Sequence, residues 1–261
     1  TALEGRSESY LLATKLGGLM TSRDHHSPDA LRAQLWGNLR ALRRTQVDVL
    51  QVHSVEFACW LDEGASLDQV STLEQSTDFV KAPVMEVLKE ARGEGLCRFV
   101  GITADEAGHL ARALGDLDMD VCLAAYNYNL LFRDAARDVM PLVRQKGVAF
   151  VNAGIMGPVR DATGVRSQPG FTEVRPRWLD EPPGWVTPEV HGRLAKLYDL
   201  QRESGLSLVE MAVRYPLANP DIAVVLVGAG SPAEIEETVA AAAEGPLPAD
   251  VNQAIEELGL K

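Results

Sequence analysis

Residues able to do chemistry recur in this chain at one kind of place, the end of a short apolar run. Lys15 follows the run 10–14, His53 follows 47–52, Thr103 follows 97–102 and Asn152 follows 148–151. The last such run, 222–227, leads into Gly228-Ala229-Gly230-Ser231, with Glu234 one turn further on. A lysine directly after an apolar segment is costly to bury without a partner, which points to a purpose for Lys15. An imidazole in a similar place can trade protons or polarise an oxygen. A glycine-rich turn ahead of a helix suits a phosphate, because backbone N–H groups gather there. Taken singly, Lys15 also fits a solvated loop lysine, and His53 a hydrogen-bonded structural histidine. Their shared placement favours one site.

The elements that must hold these residues are legible as a rhythm. Six strand-like runs, 10–14, 47–52, 97–102, 121–125, 148–151 and 222–227, alternate with amphipathic segments. Most are continuous rather than alternating, as expected of strands buried on both faces of a parallel sheet. Ser27-Pro28, Thr187-Pro188 and Ser231-Pro232 each put an N-cap hydroxyl before a proline at the first helical position. Ser207 with Glu210, and Ser231 with Glu234, have capping-box spacing. Leu31, Leu35, Leu39 and Leu42 fall on one helical face, and Gly95 and Gly147 stand where helices should stop.

Six βα units in succession imply an α/β fold with a parallel sheet and right-handed crossovers. An open doubly wound sheet fits that rhythm too. However, no GxGxxG follows the first run, and the glycine pair comes at the last one, where barrels place a phosphate site. The expected fold is a TIM (β/α)8-type barrel forming a single domain over residues 1–261. Closing such a barrel takes eight strands, so the domain is expected to be N-terminally incomplete. Either two βα units precede Thr1 in the molecule, or another segment covers the edges at 10–14 and 222–227.

Composition narrows the function classes. The 261 residues carry a formal charge of −12 and are 46% hydrophobic. That surface disfavours nucleic acid and anionic membrane, since no basic cluster exceeds Arg43-Arg44. No apolar run is long enough to span a bilayer, and Thr1-Ala2-Leu3-Glu4-Gly5-Arg6 is not a signal peptide, so a cytoplasmic protein with a small-molecule substrate is expected. Cys59, Cys97 and Cys122, an odd number without CxxC spacing, read as buried reduced thiols. His25 and His26 are compatible with a metal pair, but without an acidic partner they read as surface, and no metal is expected.

Four segments carry a resemblance. Ala13-Thr14-Lys15, Val47-Asp48-Val49-Leu50-Gln51-Val52-His53, Phe99-Val100-Gly101-Ile102-Thr103 and Val227-Gly228-Ala229-Gly230-Ser231-Pro232 resemble, in order, the successive signatures of the aldo-keto reductase superfamily. Pro182-Pro183-Gly184-Trp185, Thr187-Pro188-Glu189 and Leu217-Ala218-Asn219-Pro220 are similar to its aldose-dehydrogenase branch, whose members oxidise the anomeric carbon of a sugar to a lactone.

The resemblance implies a nicotinamide-dependent oxidoreductase acting on a sugar, alcohol or carbonyl compound. Its chemistry uses an aspartate, a tyrosine, a lysine and a histidine, of which Lys15 and His53 are the last two. The tyrosine exchanges a proton with the substrate oxygen, and the lysine lowers the phenol's pKa. The aspartate and tyrosine are expected ahead of residue 1. Cofactor contacts are expected from Thr103, Asn152, Gly228, Gly230, Ser231 and Glu234. With a glycine at 230 and a carboxylate at 234, NAD is the expected cofactor and NADP the alternative.

The sequence also departs from the family pattern. Ala125 stands where a glutamine contacts the nicotinamide amide, Ala104 replaces the asparagine after Thr103, and Ala153 stands in the place of a stacking aromatic. Tyr126 and Tyr128 read as wall residues. Loops 54–78, with Glu56, Phe57 and Trp60, and 154–186, with Met156, Arg160, Trp178 and Trp185, are expected to shape the substrate pocket. The alternative function is a barrel of the same ancestry that binds a small molecule without redox turnover or serves as a partner subunit.

Overall fold

The computed structural model describes residues 5, 9–17, 27–56, 58–61, 77–156 and 187–258. Six strands, β1 (Ala13–Leu16), β2 (Val47–Val52), β3 (Cys97–Ala104), β4 (Val121–Ala125), β5 (Ala149–Ala153) and β6 (Ile222–Leu226), form one sheet in the order β1-β2-β3-β4-β5-β6. The pairings β1–β2, β2–β3 and β5–β6 are parallel. Helices alternate with the strands, as the βα rhythm requires: α1 (Pro28–Leu42), α2 (Pro83–Gly93), α3 (Ala107–Asp116), α4 (Asp134–Asp138), α5 (Met140–Lys146), α6 (Pro188–Ser204), α7 (Leu208–Arg214), α8 (Pro232–Ala243) and α9 (Ala249–Leu258). The chain divides into two compact units, Thr1–Thr103 with Asp116–Val121, and Ala104–Gly115 with Cys122–Lys261.

In the first unit, α1 buries the expected stripe of Leu31, Leu35 and Leu39, while Leu42 is exposed. Ser27 precedes it in an extended conformation but makes no side-chain cap bond, so Pro28 alone marks that start. Leu16, Leu50, Val52, Val84, Leu88 and Ile102 are fully buried and make the core. At the N-terminal end of β2, the Asp48 carboxylate accepts from Leu12 N–H and from the Arg98 guanidinium, both at 2.8 Å. On the surface, Arg32 of α1 donates to Glu86 and Glu90 of α2 and to Asp29.

The second unit is built around β5 and β6, whose register shifts between Phe150 and Val151. Its helix starts follow the sequence signals: Thr187, Ser207 and Ser231 each accept the backbone N–H three residues on. Glu210 does not complete the capping box; its carboxylate takes Arg214 instead, at 2.5 Å. A buried guanidinium organises the turn after β4. Arg133 lies 4.4 Å over the Tyr215 ring and 5.5 Å over Tyr128, which are themselves stacked at 5.3 Å. It donates to the carbonyls of Asn129, Phe132 and Ile255, which ties that turn to α9. Unlike the other strands, β6 exposes apolar side chains, Val224 by 50% and Leu226 by 46%.

All three cysteines are buried and free, as expected. No helix among the described residues is long and apolar enough to cross a membrane, and among them no group of three or more His, Cys, Asp or Glu can hold a metal ion.

Candidate active site

Strand boundaries shift the site residues inward. β1 runs Ala13–Leu16, so Lys15 lies within the strand rather than after it, and Thr103 and Asn152 likewise sit near the ends of β3 and β5. In the β1–β2 register Lys15 is opposite Gln51, and Leu16 opposite Val52. Side chains alternate along a strand, so Lys15 and Gln51 share one face, and Leu16, Leu50 and Val52 the other, while His53 directly follows β2. The apolar face is fully buried. On the polar face Gln51 is buried, and its Nε2 has no hydrogen-bond partner among the described residues.

The backbone carrying Lys15 is clamped by helix side chains. Asn38 Nδ2 donates to Lys15 O at 2.8 Å, Gly17 N–H donates to Gln34 Oε1 at 2.8 Å, and His53 N–H donates to Leu16 O at 2.7 Å. Gly17 has φ +80°, and a Cβ there would stand 2.6 Å from Cys59 Sγ, so only glycine fits. Two helix-face amides thus fix where the lysine starts.

His53 is followed by a left-handed residue, Ser54 at φ 71°. Thr103 holds it: the threonine Oγ1 accepts from Ser54 N–H, and its carbonyl from Val55 N–H, each at 2.8 Å. Trp60 Nε1 closes on Ser54 O at 3.0 Å, its ring edge-on to Phe79, while the Ser54 hydroxyl bonds Glu56. Sequence reasoning took Trp60 as a pocket residue and missed this role; it is buried, holding the turn behind His53. Phe57, Arg160, Trp178, Trp185, His25, His26 and the motif at 182–185 lie outside the described residues.

The second unit holds the remaining candidates. Asn152 is completely buried; its Nδ2 donates to Tyr128 O at 2.9 Å, and its Oδ1 has no hydrogen-bond partner among the described residues. Gly228, Ala229 and Gly230 are exposed, with nothing within 4 Å of a Cβ built on Gly228. Glu234 N–H donates to Ser231 Oγ at 3.3 Å, and the Glu234 carboxylate accepts Gly230 N–H at 2.8 Å. The reciprocal cap therefore closes one residue earlier than a capping box, on Gly230 rather than Ser231. The Gly230 N–H is thereby taken, which leaves the exposed backbone of Gly228 and Ala229 as the part of this turn that a phosphate group can approach.

Two sets of groups stand outside the chemistry. Burial pushes the Cys59 and Cys122 thiols up to about 12, so neither is a nucleophile. The Tyr215 phenol is driven far above its ordinary value, chiefly by burial, and its hydroxyl bonds Glu256; it does not trade protons near neutrality.

One residue was underrated. Tyr126, read as wall packing, has φ 70°, unusual for a bulky side chain. Its N–H donates to Ala153 O at 3.0 Å and its carbonyl accepts from Asn129 Nδ2 at 3.0 Å. No sequence signal announces a left-handed tyrosine, although the flanking Asn127 and Asn129 belong to the residues that bond turns locally.

A parallel, strand-by-strand α/β fold with its polar groups at the carboxyl ends of the strands is the architecture of a TIM-type barrel enzyme. The chain belongs to the Aldo/keto reductase family, whose sequence pattern matches residues 1–259, and it is an oxidoreductase of that type. It is 28% identical over 249 residues to L-galactose dehydrogenase of Arabidopsis thaliana, covering 93% of this chain and 67% of that protein. To D-threo-aldose 1-dehydrogenase of a Pseudomonas species it is 24% identical, covering 90% of this chain and 71% of the other. These relatives support the aldose-dehydrogenase-like branch. Among solved structures, the holo form of an aldo-keto reductase from Bacillus halodurans superposes with a TM-score of 0.63 at 25% identity, covering 98% of this chain and 74% of that one.

Proposed function

We propose that the protein is an aldose dehydrogenase that prefers NAD(H) and oxidises the anomeric carbon of a sugar to a lactone. The observation that carries this reading is the meeting of β1 and β2 near their ends, where Lys15 is opposite Gln51 and His53 N–H donates to Leu16 O at 2.7 Å. A bound nicotinamide would supply the acceptor for the hydride leaving the anomeric carbon. The hydroxyl proton passes to the tyrosine that the family chemistry calls for. Lys15 holds that phenol's proton affinity down by its charge, and His53 orients the substrate oxygen by a hydrogen bond.

Thr103 and Asn152 serve the cofactor from the strand ends; its pyrophosphate lies by the open backbone of Gly228, with Gly230, Ser231 and Glu234 on the ribose side. Glu234 supports the NAD(H) preference. Its exposed carboxylate stands beside Gly230, and a carboxylate accepts from a ribose hydroxyl but repels a 2′-phosphate. Cytoplasmic residence and a single domain over residues 1–261 belong to the same proposal. The test combines fluorescence titration with NADH and NADPH and turnover assays with L-galactose or a D-threo-aldose. NADH should bind more tightly, with NAD+ reduced and lactone formed in step. NADPH binding at least tenfold tighter overturns the NAD(H) preference, and absent turnover with both sugars and both cofactors overturns the activity.

A further inference from the structure

We infer that Tyr126 is a cofactor-binding residue whose phenol ring forms a flat wall for the nicotinamide ring. The inference rests on the nicotinamide-dependent reading above and adds to it a residue that no family signature supplies. Its grounds lie within the second unit. Tyr126 directly follows β4, and Gly154 directly follows β5, which is the next strand of the sheet. Both have left-handed backbones, at φ 70° and 66°. A Cβ on Gly154 would stand 2.5 and 2.7 Å from Tyr126 Cδ1 and Cε1, so the ring lies directly against the glycine backbone. Alanine precedes each of these residues, Ala125 and Ala153, which leaves the strand ends without bulk beside the ring.

The placement is held from several sides. Ala153 O and Asn129 Nδ2 take the two backbone polar groups of Tyr126, and Asn127 Nδ2 donates to Ala125 O at 2.6 Å and to Asp105 O at 2.8 Å. A bulky residue kept in a disfavoured backbone conformation by this many bonds marks a function rather than simple filling. Tyr128, two residues on, shows what filling looks like: it is buried, without a positive φ, between Tyr215 and Arg133. Tyr126 is only half-buried, at the carboxyl end of the sheet. That end is where ligands of such folds bind. A neutral, flat aromatic surface there suits an electron-poor planar heterocycle by offset stacking.

The test separates the two ends of the dinucleotide. Dissociation constants of NADH and of ADP-ribose, which lacks the nicotinamide, are measured for the unaltered protein, Tyr126→Phe, Tyr126→Ala and Gly154→Ala. Tyr126→Ala should weaken NADH binding on the order of 10-fold, as loss of a stacking partner does. ADP-ribose binding should stay within about twofold, and Tyr126→Phe should keep both. Gly154→Ala should displace the ring and reproduce the NADH-selective loss. Equal losses for both ligands, or unchanged NADH binding in Tyr126→Ala, overturn the wall while leaving the functional reading intact. No NADH binding by the unaltered protein overturns both.

Discussion

Two turns in this protein use the same backbone device to different ends. Ser54, after His53, and Tyr126, after β4, are both left-handed residues at strand ends, with φ of 71° and 70°. Each is locked by a polar side chain from elsewhere, Thr103 in the first case and Asn129 in the second. In the first unit the device turns the chain away just after His53, the residue that follows β2. In the second it turns the ring itself. For any residue with a Cβ, serine and tyrosine alike, the conformation costs about 1–2 kcal/mol. Such a cost is retained where the side chain's direction matters. On the proposed function, the proton and oxygen chemistry falls to Lys15 and His53 and the cofactor's flat surface to Tyr126.

The sharpest way to break that division is to remove the charges of the first unit. Lys15→Met and His53→Ala should each lower kcat by about 10²–10⁴-fold while NADH binding changes little. Near-normal kcat on the best sugar for either variant would remove the assigned role. Equal losses in kcat and in NADH affinity would merge the two functions.

A smaller effect is expected from the stack beneath the second turn. Arg133→Met removes a buried guanidinium that serves three carbonyls and two rings. Stability should fall by about 2–3 kcal/mol in denaturant titration. The comparison is sharpened if NADH affinity falls along with stability in this variant, since Tyr128 and Tyr126 share the turn. A loss below about 0.5 kcal/mol would show that the stack is only packing.

The smallest effect lies at the opposite end of β2 from His53. Asp48 is held below the usual carboxylate range, first by Leu12 N–H and then by the Arg98 guanidinium. Its folded pKa lies below the unfolded one. The stabilisation is therefore complete above the unfolded value of about 4 and is lost as pH falls through the folded value. Asp48→Asn should cost about 1 kcal/mol at neutral pH and flatten the acid limb of the stability profile, with kcat unchanged. An unchanged acid limb would remove Asp48 from the account.

By itself the sequence determined the alternation of strands and helices, the buried stripe of α1, and the caps at Thr187, Ser207 and Ser231. These depend on period and on bonds between residues three or four apart, which any reader of the chain can count. It also marked Lys15 and His53 as candidates by their place near strand ends, although β1 extends one residue past Lys15. Only the tertiary structure decided the rest. Whether Ser27 caps its helix, whether Glu234 reaches Gly230 or Ser231, and whether Trp60 lines a pocket or braces Ser54 all turn on distances between competing partners. The direction of Tyr126 is the plainest case. Its backbone is set by Ala153 and Asn129 and its ring by the missing Cβ of Gly154, 28 residues further along the chain. A contact at that separation leaves no periodic trace, because it depends on two strand ends meeting side by side.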